Sequence, residues 1–591
     1  MKWDLTYFYK DHNDFYVDLD NVQSIIKELA TYQGKLHDLE KLKEYLRLQN
    51  KLEKTFYKAY QYASLKSDLN KKDVNAATDF GKVRMIISQL NTATSFESAE
   101  ILALGEEKVK DFIKNNAEFS YLSFPMEKLF HSAKHYLSGD KELLLSYFSM
   151  LEQSGSSLYS SLAVADAKSK TITLSNKEKV TVTQGNWRSL IQEAKSANDR
   201  KKIFNTLYSG YENNKNTYAQ IYNTVMQAEK ASYLARNYDS ILQSHLFYNN
   251  IPTEVFTNLI DVASKNSAPL KKYYDLRKQY LGLKTHYSYD RFLELASSSK
   301  KYNYEEAKEL FFNSLKNCPE DFQNKAHEVL KDGFVDVYEQ DGKRSGAYSS
   351  SMPDMHPFIL LNYSGTLDDV FTIAHEAGHS IHSMYSAQTQ PSQLQDYTIF
   401  VAEIASTFNE HMLLDYLLSL PSLSNDEKIM LLQKQIDEIC STFYRQTLFA
   451  NYEYEVSKLV EKDTPINHEV LSNIMIKLYK KYYGLNIKKE KVKQFVWAYI
   501  PHLFYTPFYV YQYATSFAAS FVLYKNVKEG NNGAFDKYIN LLKAGGSQYP
   551  MDEVKAAGVD FTKKDSFMAV IERMNELVSS LEELINNAKH N

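Results

Sequence analysis

The stretch that most restricts this chain is 371–385, FTIAHEAGHSIHSMY, which places His375, Glu376 and His379 in a His-Glu-x-x-His pattern. On an α-helix, residues four apart lie one above the other on a single face. The two imidazoles can therefore grip one zinc ion, with the Glu376 carboxylate beside them. The remainder of the chain must supply a helix around this run, a third ligand and a substrate cleft. Thr366 followed three residues later by Asp369 resembles a capping box, with Asp in place of the usual Glu. The helix should therefore begin near Leu367 and carry the histidines in its middle.

A catalytic zinc needs three protein ligands and one open position. His382 shares the histidine face but lies seven residues beyond His375, about 10 Å along the axis, too far for all three to meet one ion comfortably. It suits a hydrogen-bonding or packing role instead. A metzincin continuation needs Gly at 382 and His at 385; His382 and Tyr385 exclude that class. The next helical pattern, 399–418, offers Glu403 and Glu410 on one face, with His411 a step around. Glu403 is the expected third ligand, because Phe400, Val401, Ile404 and Phe408 would make an unpaired carboxylate there costly. Glu410 is expected either to orient a ligating histidine or to be an ordinary surface acid. Two histidines and a glutamate favour zinc over magnesium or calcium, which prefer oxygen shells.

Around this core the periodicity is helical. Val22, Ile25, Ile26 and Leu29 mark one apolar stripe, and Tyr45, Leu48, Leu52 and Phe56 another. With 46 Tyr against 12 Pro and 19 Gly in 591 residues, a helix-rich body with few tight turns is expected. A short hairpin is expected around Ser175 and Asn176, and a domain boundary near 184–187. Three short β-runs precede the motif, at 334–338, 345–349 and 358–362, with Asp341-Gly342 as a hairpin turn; together they predict a small antiparallel sheet.

A net charge of −4 gives no electrostatic case for nucleic acid or an acidic membrane as partner. Only Cys318 and Cys440 are present and the amino-terminal run lacks a signal-peptide pattern, so a cytoplasmic protein is expected. Residues 495–524 carry no Asp, Glu, Lys or Arg and reach membrane-spanning length. Pro501, Pro507, His502, Gln512 and many tyrosines argue against a span.

HEAGH, the later VAEIAS at 401–406 and the preceding GAYSSSMPDMHPFILLNY at 346–363 resemble the M3 family of zinc metallopeptidases, in its oligoendopeptidase F branch. Ala377 and Ala405 stand where the thimet oligopeptidase branch carries Phe and Pro. The resemblance implies a mainly α, large helical two-lobed metallopeptidase with a small antiparallel sheet beside the motif helix and a deep substrate cleft. It implies an amino-terminal helical domain over 1–186 and a catalytic domain over 187–591. One Zn2+ per chain would be bound by His375, His379 and Glu403, with Glu376 as general base acting on a zinc-held water. Gly346, Ala347 and Tyr348 would offer a strand edge to the substrate backbone. His502, Tyr505, Tyr509 and Tyr511 match the family's carboxyl-terminal cluster that donates hydrogen bonds to the oxyanion and the bound peptide.

The expected activity is endopeptidase cleavage of short unstructured peptides. A zinc carboxypeptidase or dipeptidyl carboxypeptidase would use the same metal set with a cationic anchor for the substrate carboxylate. A non-catalytic helical scaffold with a coincidental motif is the rival of a different class.

Overall fold

Helical periodicity in the sequence becomes helix almost throughout the computed structural model, which describes residues 2–590. The helix His12–Ala30 starts at Asp11, whose side chain accepts the Asn13 amide, and buries Val22, Ile25, Ile26 and Leu29. Asp38 caps Leu39–Leu69 in the same way, and that helix buries Tyr45, Leu52 and Phe56. The capping carboxylates satisfy amides that the first turn leaves without partners. Among the described residues no helix is long and apolar enough to cross a membrane. The uncharged 495–524 stretch is broken into Val496–Tyr499, His502–Tyr505 and the start of Tyr511–Lys528.

The chain forms two compact units, each gathered from three stretches: 1–134, 300–419 and 523–558 in the first, and 135–299, 420–522 and 559–591 in the second. These units cut the chain differently from the linear division at 186/187.

The second unit contains the expected hairpin, β1 (Lys170–Thr173) paired antiparallel with β2 (Lys179–Val182). The first contains β3 (Val335–Asp336), β4 (Tyr348–Ser350) and β5 (Phe358–Leu360), ordered β3-β5-β4. This sheet is mixed, which corrects the antiparallel expectation: β4 runs antiparallel to β5, but β3 runs parallel to it. No hairpin joins β3 to β4. Gly342 does turn, at φ 79°, but the chain after it is captured elsewhere. Its carbonyl accepts from the Lys71 amide at 2.7 Å, and the Arg344 amide donates to the Asp68 carbonyl at 2.9 Å. Lys343 folds back to ion-pair with buried Asp336 at 2.7 Å. A turn residue sets local direction, whereas pairing goes to the strand with the better partners. β4 is left as the outer strand on one side.

The motif helix spans Leu367–Thr389, with both halves of the Thr366/Asp369 capping box formed. It packs on Ile404–Ser419 and Ala534–Ala544. At its contact with Ile404–Ser419 stands Gly378, where an added Cβ would lie 2.6 Å from the Ala405 carbonyl oxygen and 2.6 Å from the Ser406 Cα.

Candidate metal centre

The helix fixes the first two donors: His375 and His379, one turn apart, bring their Nε2 atoms to 3.2 Å. The third comes from the next helical stretch, which breaks where it matters. Ile399–Ala402 ends at Glu403, whose φ of −88° and ψ of 0° leave the helix, and Ile404–Ser419 begins after it. The break places Glu403 Oε2 3.4 Å from His375 Nε2 and 3.5 Å from His379 Nε2. Ser406 Oγ donates to the same carboxylate oxygen at 2.9 Å, and Thr407 caps the Glu403 carbonyl through both its amide and its hydroxyl.

These donor atoms form a nearly equilateral triangle. Three ligands held about 2.0–2.2 Å from one tetrahedral ion stand about 3.3–3.6 Å apart, so edges of 3.2, 3.4 and 3.5 Å fit one small cation. Among the described residues this trio is the group of His, Cys, Asp and Glu side chains arranged to hold a metal. His382 is outside it. Fully buried, it stacks on Tyr397 with ring centroids 3.5 Å apart and planes at 5°.

Glu410 stands beside the first histidine. Its Oε1 lies 2.5 Å from His375 Nδ1. An Nδ1–H donated there would leave the Nε2 lone pair facing Glu403, the kind of contact that orients a histidine toward a metal. His379 is held by a hydrogen bond to the Ala402 carbonyl. His411 is buried and lies against Tyr524.

Electrostatics follow from this crowding. Burial alone would lower His375, but the Glu403 and Glu410 carboxylates hold it well above its ordinary range. Burial and charged His375 press His379 down to about 4. Burial would raise Glu403, yet the two histidines hold it at about 2. A cation bound there would compete with protons for the same donors. Glu376 is pushed up to about 7, chiefly by burial, with the nearby Glu403 charge adding and His375 opposing. That value places a carboxylate between its charged and neutral forms near neutrality, as a proton carrier requires.

The trio and Glu376 open on a cavity of about 510 Å3. Ala347, Tyr348 and Ser349 line it, and the Ser349 amide hydrogen-bonds the Glu376 carboxylate. Ser349 Oγ meets Ser380 Oγ of the motif helix at 2.8 Å, which ties β4 to the site. Gly346 stands just outside, its carbonyl bonded by Asn362 Nδ2 at 2.7 Å. Tyr348 donates its hydroxyl to Asp68 at 2.7 Å. Sequence reasoning missed Gln395, Asp396 and Tyr397, which also line the cavity; they lie in a loop with no periodic signal.

In the second unit, His502 and Tyr509 lie with rings parallel at 6.2 Å, and Tyr513, also missed, brings its hydroxyl to 3.5 Å from His502 Nε2. Tyr505 is exposed and shares a hydrogen bond with Ser160 Oγ at 2.7 Å. Tyr511 is buried against Phe256. Sequence spacing could not separate them, because the turn at Phe508, with φ at 58°, ends the register counted from His502.

Residues 190–573 match Peptidase family M3, and residues 100–168 match Oligopeptidase F. An oligoendopeptidase F homolog of Borreliella burgdorferi is 35% identical over 95% of this chain and 94% of its own length. Oligopeptidase PepF of Bacillus subtilis is 33% identical over 99% of this chain and 88% of its own. The crystal structure of oligoendopeptidase-F from Enterococcus faecium superposes with a TM-score of 0.75 at 27% identity, covering 97% of this chain and 99% of that one. With two histidines of the motif helix and Glu403 of the next stretch placed where they could hold a metal, and with these likenesses along the chain, the chain belongs to peptidase family M3, as a metallo-endopeptidase of the oligoendopeptidase F kind.

Proposed function

We propose that this protein is a zinc-dependent endopeptidase that hydrolyses internal bonds of short, unstructured peptides. His375, His379 and Glu403 would hold one Zn2+, and Glu376 would act as general base. The observation that carries the reading is the donor triangle, sized for one ion and set beside a buried carboxylate pushed up to about 7. A zinc ion held there lowers the pKa of a water molecule and polarises the scissile carbonyl. Glu376 takes the proton from the attacking water and delivers it to the leaving amine. The Ser349 amide on its carboxylate keeps it aimed between the strand and the trio.

Gly346, Ala347 and Tyr348 would present the β4 edge to an extended peptide, main chain to main chain. That mode accepts many sequences, because backbone groups are common to all of them. His502, Tyr505, Tyr509 and Tyr511 would donate hydrogen bonds to the oxyanion and the peptide. Burial of Tyr511 favours packing for that one ring, whereas Tyr505 is exposed and His502, Tyr509 and Tyr513 are gathered in one cluster.

An exopeptidase that recognises a carboxyl terminus needs a cation in its cleft. Among the described residues lining the cavity there is no Lys or Arg, which supports the endopeptidase reading over the carboxypeptidase one. Both cysteines are buried and unpaired, in keeping with a cytoplasmic setting.

Glu376→Gln tests the assignment. It should retain one zinc per chain while kcat falls by about a thousandfold, within the range of about a hundredfold to ten-thousandfold that one acid-base group supplies. Substantial turnover in a zinc-loaded mutant would remove Glu376 from the chemistry. Peptides blocked at both ends should be cut internally, and failure to cut any of them would return the carboxypeptidase reading.

A further inference from the structure

In the second unit two buried cations, Arg445 and Lys493, lie together on one tyrosine ring with no carboxylate in contact. Arg445 is 8% exposed and Lys493 4%. The Lys493 Nζ faces three rings, 5.3 Å from the centroids of Tyr208 and Tyr479 and 5.9 Å from that of Phe204. Arg445 Nη1 donates to the Tyr479 hydroxyl at 3.1 Å, so Tyr479 bridges the two cations. Arg291, partly buried, lies over the Phe292 ring at 4.5 Å, and Arg445 is the strongest charged neighbour acting on it.

Among the described residues no carboxylate comes within 4.0 Å of Arg291, Arg445 or Lys493, and the bond to Tyr479 is the one side-chain hydrogen bond the three make. Other buried cations of this unit are answered. Arg200 pairs with Asp290 at 2.9 Å. Arg277 donates to the carbonyls of Asp290, Arg291 and Leu293. The nearest acid felt by Lys493 is Glu490, whose two oxygens are taken by the amide and hydroxyl of Ser288 at 2.8 and 2.5 Å. The Tyr208 hydroxyl, fully buried beside Lys493, has no hydrogen-bond partner.

Buried charges require a counter-charge or hydrogen bonds, and like charges sharing a low-dielectric site repel strongly. Asp437 also reaches Arg291 but is engaged by the Tyr273 hydroxyl and Gln433, so three cations and two committed acids leave one positive charge in excess. We propose that Arg291, Arg445 and Lys493, with the Tyr208 hydroxyl as a further donor, form an internal site for one small, weakly hydrated monovalent anion of the chloride class. The walls select that class. Born desolvation scales with the square of the charge, so a divalent oxyanion loses about four times as much solvation on entering among Phe204, Tyr208 and Tyr479. A monovalent anion balances the one excess charge, which is shared by two guanidinium groups and an ammonium on aromatic faces.

The test is thermal unfolding of the full-length protein at fixed ionic strength and pH, exchanging gluconate for chloride or bromide. Ligand binding to the native state raises Tm in a saturable way. A saturable rise of several degrees is expected with chloride and bromide, with sulfate giving none at equal ionic strength. Lys493→Met and Arg445→Met should abolish the dependence. A crystal soaked in bromide should show an anomalous peak within contact distance of Lys493 Nζ, which keeps the test open if either variant fails to fold. No anomalous peak, or a chloride effect that does not saturate and persists in Lys493→Met, overturns the site. In that case Lys493 is neutral in the folded protein, and the excess charge is removed by loss of its proton.

Discussion

Adding one methyl group at Gly378 should separate the two helices that carry the ligands. The Cβ of Gly378→Ala would stand 2.6 Å from the Ala405 oxygen, 2.6 Å from the Ser406 Cα and 2.7 Å from the Ser406 amide nitrogen. All three are backbone atoms of the facing helix, so no side-chain rotation relieves them. Carbon atoms rest about 3.5–4.0 Å apart, so the helices must part locally by roughly 1 Å. Overpacking of that size costs about 1–3 kcal/mol. The metal site is more sensitive still. Ser406 holds the Glu403 carboxylate, and Glu403 stands 3.4 and 3.5 Å from the histidines. A displacement of roughly 1 Å carries those edges past the span that one tetrahedral ion bridges. We expect a lower Tm in the metal-free protein and at least about a tenfold loss in zinc affinity, on the scale of losing an orienting contact. Thermal scans of the metal-free protein and zinc titration against a competing chromogenic chelator read the two effects separately. Gly210→Ala is the control. That glycine is inside a helix with nothing within 4 Å of the added carbon, and the change should be neutral or stabilise by up to about 1 kcal/mol. If Gly378→Ala matches the control in Tm and binds zinc within twofold of the parent, the helix contact does not set the ligand geometry.

Three further outcomes follow from the same structure. Glu410→Gln should weaken zinc binding about tenfold to a hundredfold, because the amide can still accept from His375 Nδ1 but no longer supplies a charge; chelator competition giving an unchanged constant would make Glu410 a packing residue. Glu453 is 1% exposed, accepts the Phe508 amide at 2.8 Å through one oxygen and leaves the other without a partner; burial pushes it up to about 8 from an ordinary 4.5. Its folded pKa lies above its unfolded one, so its contribution to stability is complete below about pH 4.5 and is lost as pH rises through about 8. Glu453→Gln escapes that loss, and its Tm should gain on the parent between pH 5 and pH 9; a constant gap would mean that Glu453 stays ionised in the fold. Among Tyr505, Tyr509, Tyr511 and Tyr513, each changed to Phe, kcat should fall by about a hundredfold where the hydroxyl meets the oxyanion and by less than about twofold at Tyr511, and uniform small effects in steady-state assays would take the cluster out of the mechanism.

How much of this was legible in the sequence depended on how local each feature is. The start of the motif helix was readable because a capping box is a contact over three residues, and Thr366 with Asp369 forms it. His375 and His379 were readable because helical spacing alone puts them on one face. Glu403 was singled out by its apolar neighbours, although the helix break beside it was not expected, since 399–418 reads as one uninterrupted helix. The β3–β5 pairing was misread because Lys343 and Arg344 are drawn to Asp336 and Asp68, and no rule about Asp-Gly turns includes those partners. The cations at 291, 445 and 493 left no trace in the sequence, since they meet only through the tertiary fold.

The third ligand illustrates why a metal site of this kind joins a regular helix to an irregular one. A single helix supplies two donors on one face, and its next same-face residue, His382, is carried away along the axis. A third donor has to arrive from a different direction. Direct helix-to-helix approach brings it near only if no side chain intervenes, and Gly378 removes the side chain that would intervene. Approach alone would leave a helical Glu403 pointing along its own axis toward the preceding turn. Ending Ile399–Ala402 at Glu403 frees the residue to turn, and the hydroxyls of Ser406 and Thr407 bind its carboxylate and carbonyl. The glycine in HEAGH and the two hydroxyls after Glu403 are therefore requirements of the same geometry. Changing the glycine moves the third ligand, whereas changing the hydroxyls releases it in place, so Gly378→Ala should lower both stability and affinity while Ser406→Ala should lower affinity alone.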